Sequence, residues 1–202
     1  MKQTLVILSL LVISLISCSK QKKDAIIESA KDFQHKLNLE YADVKTSPLT
    51  KQDAISFSSL DFYPIDKKFV VTAAFKKTPN EKSFKMLTTT SRLAEYVKYG
   101  IASFKIDSTT YQLNIYQNIE LAKKPEYKDY LFLPFTDETT GKESYSGGRY
   151  IDLSKPKDDK LVIDFNKAYN PYCAYNHKYS CPIPPTENHL NIAIKAGVKK
   201  YH

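Results

Sequence analysis

The chain has 202 residues, a formal net charge of +8, 26% charged and 42% apolar residues, 15 tyrosines and no tryptophan. This composition excludes a disordered chain and a polytopic membrane protein, and five glycines without any repeat exclude collagen-like and solenoid designs. The length accommodates one domain with room for an appended element.

Residues 1–17 read as a lipoprotein signal peptide. Lys2 is the positive start, and residues 4–16 form an apolar run of 13 residues broken only by serines. A bilayer needs roughly 20 residues, so the run is too short to span it and right for the core of an export signal. It ends Leu15-Ile16-Ser17-Cys18, the pattern of a bacterial lipobox. The thiol of Cys18 would receive diacylglycerol, and cleavage would free its amine for a further chain such as palmitate. Each buried CH₂ contributes about 0.8 kcal/mol, so two or three chains anchor stably. The plainer alternative is an ordinary secretory signal with an incidental cysteine, but signal length and cysteine position agree on lipidation. Ser19, rather than Asp, after Cys18 points to the outer membrane of a diderm bacterium. Residues 18–23 are then the acylated cysteine and a polar tether, and the expected location is the cell envelope.

Residues 24–60 are expected to form a helix and a linker. Ile26, Ile27, Ala30, Phe33 and Leu37 recur at the spacing of one helical face, which predicts a helix over 24–37 with Asp24 as its cap. Residues 38–66 read as irregular, punctuated by Pro48 and Pro64.

Residues 61–202 read as a β-rich domain. Segments 69–75 and 84–90 are rich in Val, Thr and Phe and flank the turn signal Thr-Pro-Asn-Glu-Lys, so they predict a hairpin. Residues 91–99 leave room for one helical turn. Strands are predicted at 101–107, where Ala102, Phe104 and Ile106 alternate with polar residues, and at 111–119, 130–135, 149–153, 160–165 and 190–194. Short, closely spaced strands without crossover helices predict a mainly β fold, an antiparallel barrel or sandwich with one N-terminal helix.

Lysine outnumbers arginine 28 to 2, and the lysines are scattered. Scattered lysine is a solvated surface rather than a nucleic-acid stripe, so no nucleic acid is expected as a partner. A weak attraction to anionic head groups is compatible with it.

The C-terminal third differs. Residues 134–150 hold three of the five glycines, and Gly147-Gly148 permit positive φ or close backbone approach. Gly141-Lys142 is not a P-loop, because Thr136 and Glu143 stand where that pattern needs Gly and Ser or Thr. Arg149 suits a carboxylate such as Glu143, Asp152 or Glu187, or a ligand anion. Residues 164–189 carry four tyrosines, four prolines and the cysteines Cys173 and Cys181. A long loop held in one shape is often functional. The residues singled out for a ligand site are Glu143, Tyr145, Arg149, Asp164, Asn166, Tyr169, Asn170, Tyr172, Glu187 and Asn188.

Three readings of the cysteines stay open. A Cys173–Cys181 disulfide fits an oxidising compartment and the even count left after acylation of Cys18, and closing its loop is worth roughly 2.5 kcal/mol. Two free thiols could do redox chemistry. Zinc could be held by Cys173, His177, Cys181 and His189, although that spacing matches no standard finger. No other cofactor is expected.

The run Phe-x-Asp-x-Thr-x-Gly-Lys-Glu-x-Tyr-x-Gly-Gly-Arg-Tyr over 135–150 resembles a bacterial and archaeal family catalogued as domain of unknown function 1684. So do Asp-Phe-Asn-x-Ala-Tyr-Asn-Pro-x-Cys-Ala over 164–174, Cys-Pro-x-Pro-Pro-x-Glu-Asn-x-Leu over 181–190, and Ala196-Gly197. The resemblance extends upstream to about Phe62. Family members often carry a further β-rich N-terminal half, in whose place this chain has the anchor and helix. The family pattern includes both cysteines but not His177 and His189, which weakens the zinc reading. Members without signal peptides exist, so the cysteines need not form a structural disulfide. The family has no assigned activity to carry over.

The favoured reading is a lipid-anchored envelope protein whose β-domain binds a ligand or partner, the tyrosines, asparagines and rigid prolines supplying contact surface. The alternatives are an enzyme using Glu143, Arg149 and Asp164 or the cysteine pair, and a purely structural lipoprotein. No GxSxG, HExxH, Rossmann or kinase signature is present. A pocket lined by Glu143, Arg149, Asp164 and Cys173 would favour the enzyme. A flat tyrosine surface would favour a partner, and a Glu143–Arg149 pair under a closed loop would favour the structural role.

Overall fold

The computed structural model describes residues 24–202. The expected signal peptide, the Cys18 lipidation site and the tether lie outside the described residues. Helix α1 covers 24–42 and buries Ala30, Leu37 and Tyr41, the face its apolar spacing marks out. It runs about a turn beyond the predicted end. Within the stretch expected to be irregular, α2 (Lys51–Ser56) is capped by Thr50, whose hydroxyl accepts from the Asp53 amide.

Eight strands follow: β1 (Val70–Lys77), β2 (Phe84–Met86), β3 (Ala94–Ile106), β4 (Thr109–Asn118), β5 (Tyr130–Asp137), β6 (Arg149–Ser154), β7 (Lys160–Asp164) and β8 (His189–Leu190). They form one curled sheet in the order β6-β5-β4-β3-β1-β7. Strand β2 adds to β3, and all pairings are antiparallel except that of β8 with β5. The fold is mainly β, as expected.

Three local expectations are corrected. Segments 69–75 and 84–90 do not pair with each other, because β1 is flanked by β3 and β7 while β2 pairs with β3. Residues 94–99 form the first half of the long strand β3 rather than a helical turn. The strand predicted at 190–194 is only His189–Leu190, since beyond it the chain is held by side-chain bonds.

The sheet buries both faces over β4–β6. On one face Leu113, Ile115, Leu131, Leu133, Phe135 and Ile151 join Ala102, Phe104 and Ile163 in the main core. The other face carries Tyr116, Phe132 and Tyr150, which pack with Tyr96 and Met86. Successive strand residues point to opposite faces, which is why β5 is buried continuously from Leu131 to Phe135. The register of β3 against β4 shifts between Lys98 and Gly100. That bulge lets Tyr96 face the aromatic side although Ala102, six residues on, faces the main core.

Helix α1 and the C-terminal segment share a third cluster, in which Leu37 and Tyr41 meet Leu49, Leu60, Tyr175 and Val198. Gly148 has φ of 80°, and a side chain there would meet the Phe135 carbonyl at 2.6 Å. Of the predicted glycine pair it is therefore Gly148 that the backbone requires.

Candidate functional site

The aromatic face of the sheet is the floor of a cavity of about 420 Å³, within the range of small-ligand sites of roughly 300–1,000 Å³. Tyr96, Tyr130, Phe132, Tyr150 and Asp152 come from β3, β5 and β6. Phe33, Leu37 and Glu40 of α1 form the roof, and Tyr169, Tyr172, Tyr179, Ser180, Cys181 and Pro182 form the remaining wall. The tyrosine-rich loop is thus one wall of a concavity, neither a flat surface nor a closed plug.

The rings make a continuous aromatic wall. Tyr96 lies 5.7 Å from Phe132, Phe132 lies 4.7 Å from Tyr150 at 73°, and Tyr150 lies 5.9 Å from Tyr169 at 89°. Near-perpendicular contacts are favourable for aromatic quadrupoles and turn the wall through corners. The Tyr150 hydroxyl donates to the Pro182 carbonyl, tying loop to sheet.

Asp152 is the polar centre of this surface. The hydroxyls of Tyr130 and Tyr169 both donate to its Oδ1 at 2.7 Å. Burial holds both phenols well above their ordinary pKa, so they stay donors. Protein crowding pushes the Asp152 carboxyl upward, the two hydroxyls pull it down, and the Glu40 charge pushes it up. The side chain nevertheless meets solvent through the cavity mouth, which limits the cost of its charge. On the roof, Glu40 Oε1 accepts the Tyr172 hydroxyl at 2.5 Å.

Among the predicted site residues, Tyr169 and Tyr172 line the cavity; most of the others hold the fold together. Arg149 is fully buried and pairs with Asp137 at 3.1 Å, not with Glu143, Asp152 or Glu187. Asp152 lies three residues along β6 and so on the opposite face. The Arg149 guanidinium also donates to the carbonyls of Ile194, Ala196 and Val198. Asp164 caps the turn at Asn166. The Asn166 amide grips the backbone N–H and C=O of Asp66. The Asn188 amide grips those of Asn114 and also the Pro134 carbonyl. Asn170 is buried and donates to the Lys199 carbonyl.

Glu143 is exposed and pairs with Lys195 at 3.1 Å, in an open cleft with Lys142, Lys199 and Lys200. That lysine holds its carboxyl below the ordinary value. The Tyr63 hydroxyl donates to it while the Tyr63 ring covers Arg149, so Glu143 and Arg149 do not pair. Glu187 is exposed and accepts a hydrogen bond from the neighbouring Thr186 hydroxyl. Glu143, Arg149 and Asp164 therefore do not converge.

The expected disulfide is corrected: Cys173 and Cys181 are free, buried thiols. Their sulfurs are engaged in hydrogen bonds instead. The Cys173 amide donates to Cys181 Sγ at 3.2 Å, and the Tyr145 hydroxyl lies 3.7 Å from Cys173 Sγ. The Cys181 thiol donates to the Cys173 sulfur and holds it at about 6, against the opposing effect of burial, while Cys181 is pushed up. His189 sits apart from them, against Thr136 and Glu138. Among the described residues no three His, Cys, Asp or Glu side chains gather in a metal-binding group.

Sequence reasoning missed Asp152 as a cavity group, together with Tyr96, Tyr130, Phe132, Tyr150 and Glu40. The signal was present in alternation: Tyr130-x-Phe132 and Tyr150-x-Asp152 put large side chains on the face that an ordinary half-buried strand gives to water.

Residues 55–199 match the model of a family described as protein of unknown function, DUF1684. The chain is 28% identical to an uncharacterized protein of Haloarcula marismortui whose structure was solved by solution NMR, with a TM-score of 0.69. That match covers 89% of this chain and 96% of the archaeal one. No curated protein matches the sequence.

Proposed function

This chain belongs to the DUF1684 family of proteins of unknown function, and on that premise we propose that it is a lipid-anchored cell-envelope protein whose β-domain binds a small ligand between α1 and the sheet. The observation that carries the reading is the cavity itself, an aromatic concavity that opens to solvent around a carboxylate with one oxygen unbonded. Asp152 Oδ2 has no hydrogen-bond partner among the described residues, and a polar group facing a mostly apolar pocket is how small-ligand sites fix orientation. The anchor rests on the lipobox at Cys18, and the tether of residues 18–23 would place α1, the cavity roof, next to the membrane-attached end.

A fragment screen on the isotope-labelled full chain tests the binding. A ligand of this site shifts the amides of Phe33, Tyr130, Asp152 and Tyr179 together and loses its effect in Ser180→Trp, which adds an indole at a lining position. Shifts confined to the Glu143–Lys199 cleft, or none, overturn the reading. Incorporation of labelled palmitate, abolished by Cys18→Ser, tests the anchor.

A further inference from the structure

We propose that the cavity selects a small organic cation, an alkylammonium ion seated among the tyrosine rings between the Asp152 and Glu40 carboxylates. This rests on the cavity being a ligand site at all. Its charged lining is one-sided: among the described residues Asp152 and Glu40 are the charged groups that line it, and the nearest arginine on this wall, Arg92, is exposed and spends its guanidinium on Ser180 from outside the cavity. That is notable in a chain with 30 basic and 22 acidic residues. Neither carboxylate has a salt-bridge partner among the described residues, whereas lysines elsewhere pair with Glu28, Asp32, Glu81, Glu120 and Glu143. The two acids come from opposite sides of the space, one from β6 and one from α1, and Glu40 sits close enough for its charge to act on Asp152.

The tyrosines answer the first acid oxygen on each side and leave the second. Asp152 Oδ1 takes two hydroxyls and Glu40 Oε1 takes one, while Asp152 Oδ2 and Glu40 Oε2 accept nothing among the described residues. In the same lining Phe132, Tyr150 and Tyr169 meet successively at 73° and 89°, and Tyr96 is tilted at 34° to Phe132. Aromatic faces are negative, so such a box attracts a cation whose alkyl groups also gain apolar contact. An anion would meet two carboxylates and ring faces, and the hydroxyls of Tyr130, Tyr169 and Tyr172 are already committed to those acids. A neutral apolar ligand would leave both carboxylates without a counter-charge.

The test compares choline and tetramethylammonium with 3,3-dimethylbutan-1-ol, the uncharged isostere of choline. Titration calorimetry is run on the full chain in a maltoside, so that no choline head group is present. The charged probes are expected to bind at least about tenfold more tightly than the isostere. Asp152→Asn, which keeps the oxygen that accepts the two hydroxyls, removes that preference, and Glu40→Gln reduces it. Equal binding of charged and neutral probes overturns the cation inference and leaves the ligand site standing. Choline binding that survives both Asp152→Asn and Ser180→Trp places the cation elsewhere and overturns it too. Absence of heat from all three probes also overturns it, and the fragment screen on the same sample then decides whether the ligand site falls with it. The isostere comparison needs no variant, so a misfolded substitution does not spare the proposal.

Discussion

Arg149 organises the end of the chain. A guanidinium has five donors in a plane, and here they reach one carboxylate and three carbonyls of alternate residues, 194, 196 and 198. Asp137 in turn accepts from the Ile194 amide at 2.7 Å and from the Thr139 and Thr140 hydroxyls. Replacing Arg149 by methionine leaves Asp137 buried without its cation. Breaking a buried pair in this way costs about 3–5 kcal/mol, so Arg149→Met should lower the urea midpoint by a large part of the total stability. A loss under about 1 kcal/mol would mean the pair behaves as a surface ion pair. The thiols make a separate prediction. Because Cys181 keeps its proton and donates it to Cys173, one thiolate should appear as pH rises through about 6 and the second only in strong alkali. Ultraviolet absorbance at 240 nm should therefore rise in a first step far below the ordinary cysteine value of about 8.5, and reductant should leave the intact mass unchanged. A single step near 8.5, or a mass gain on reduction, contradicts the paired-thiol arrangement. Arg149 was legible as a residue that needs a carboxylate, but its partner was not. Asp137 lies twelve residues away across a turn, whereas Asp152 could already have been excluded, because the strand predicted over 149–153 puts residues 149 and 152 on opposite faces.

The asparagines act at the scale of elements. Strands β4 and β5 pair only at Tyr116 and Phe132, and beyond that point they diverge. The Asn188 side chain fills the gap: it accepts from the Asn114 amide and donates to the carbonyls of Asn114 and Pro134. A side-chain amide carries the same donor and acceptor as a peptide, so it stands in for the missing strand. Asn188→Ala leaves several of these groups unmet, at about 1–3 kcal/mol for each buried one. The expected result is a loss of roughly 3 kcal/mol with faster hydrogen exchange at the Asn114 amide. Exchange that stays slow would show that the β4–β5 seam holds without Asn188. The same logic explains why asparagines expected in a ligand site turned out to be structural. Their partners lie 74 and 100 residues away, a distance over which no local pattern speaks. The helix, by contrast, was legible because its signal is local, a repeated apolar face between residues 24 and 37. The first half of β3 was not. Its bulge at Lys98–Gly100 breaks the alternation that marks the second half, so 94–99 does not read as a strand.

Across the whole molecule, the three apolar clusters are coupled through the C-terminal segment. Val198 packs with Leu37 and Tyr41 of α1, and its carbonyl belongs to the group gripped by Arg149 at the edge of the main core. Tyr169 packs on both the α1 cluster and the aromatic cluster, and its backbone bridges to Tyr150. Helix α1 precedes the family-matched residues 55–199, yet it roofs the cavity and shares its packing with them. Such a helix should melt with the sheet rather than before it. Leu37 is 9% exposed, and its removal costs toward the lower end of about 2–5 kcal/mol, because one side already faces the open cavity. For Leu37→Ala the far-ultraviolet signal, which reports α1 strongly, and the near-ultraviolet tyrosine signal, which reports the aromatic clusters, should shift together to lower urea. Coincident transitions with an unchanged slope mean that roof and floor form one cooperative unit, so the cavity exists only in the folded whole. An early loss of the far-ultraviolet signal alone would mean that α1 detaches while the sheet stays folded, and the cavity would then open and close with the helix.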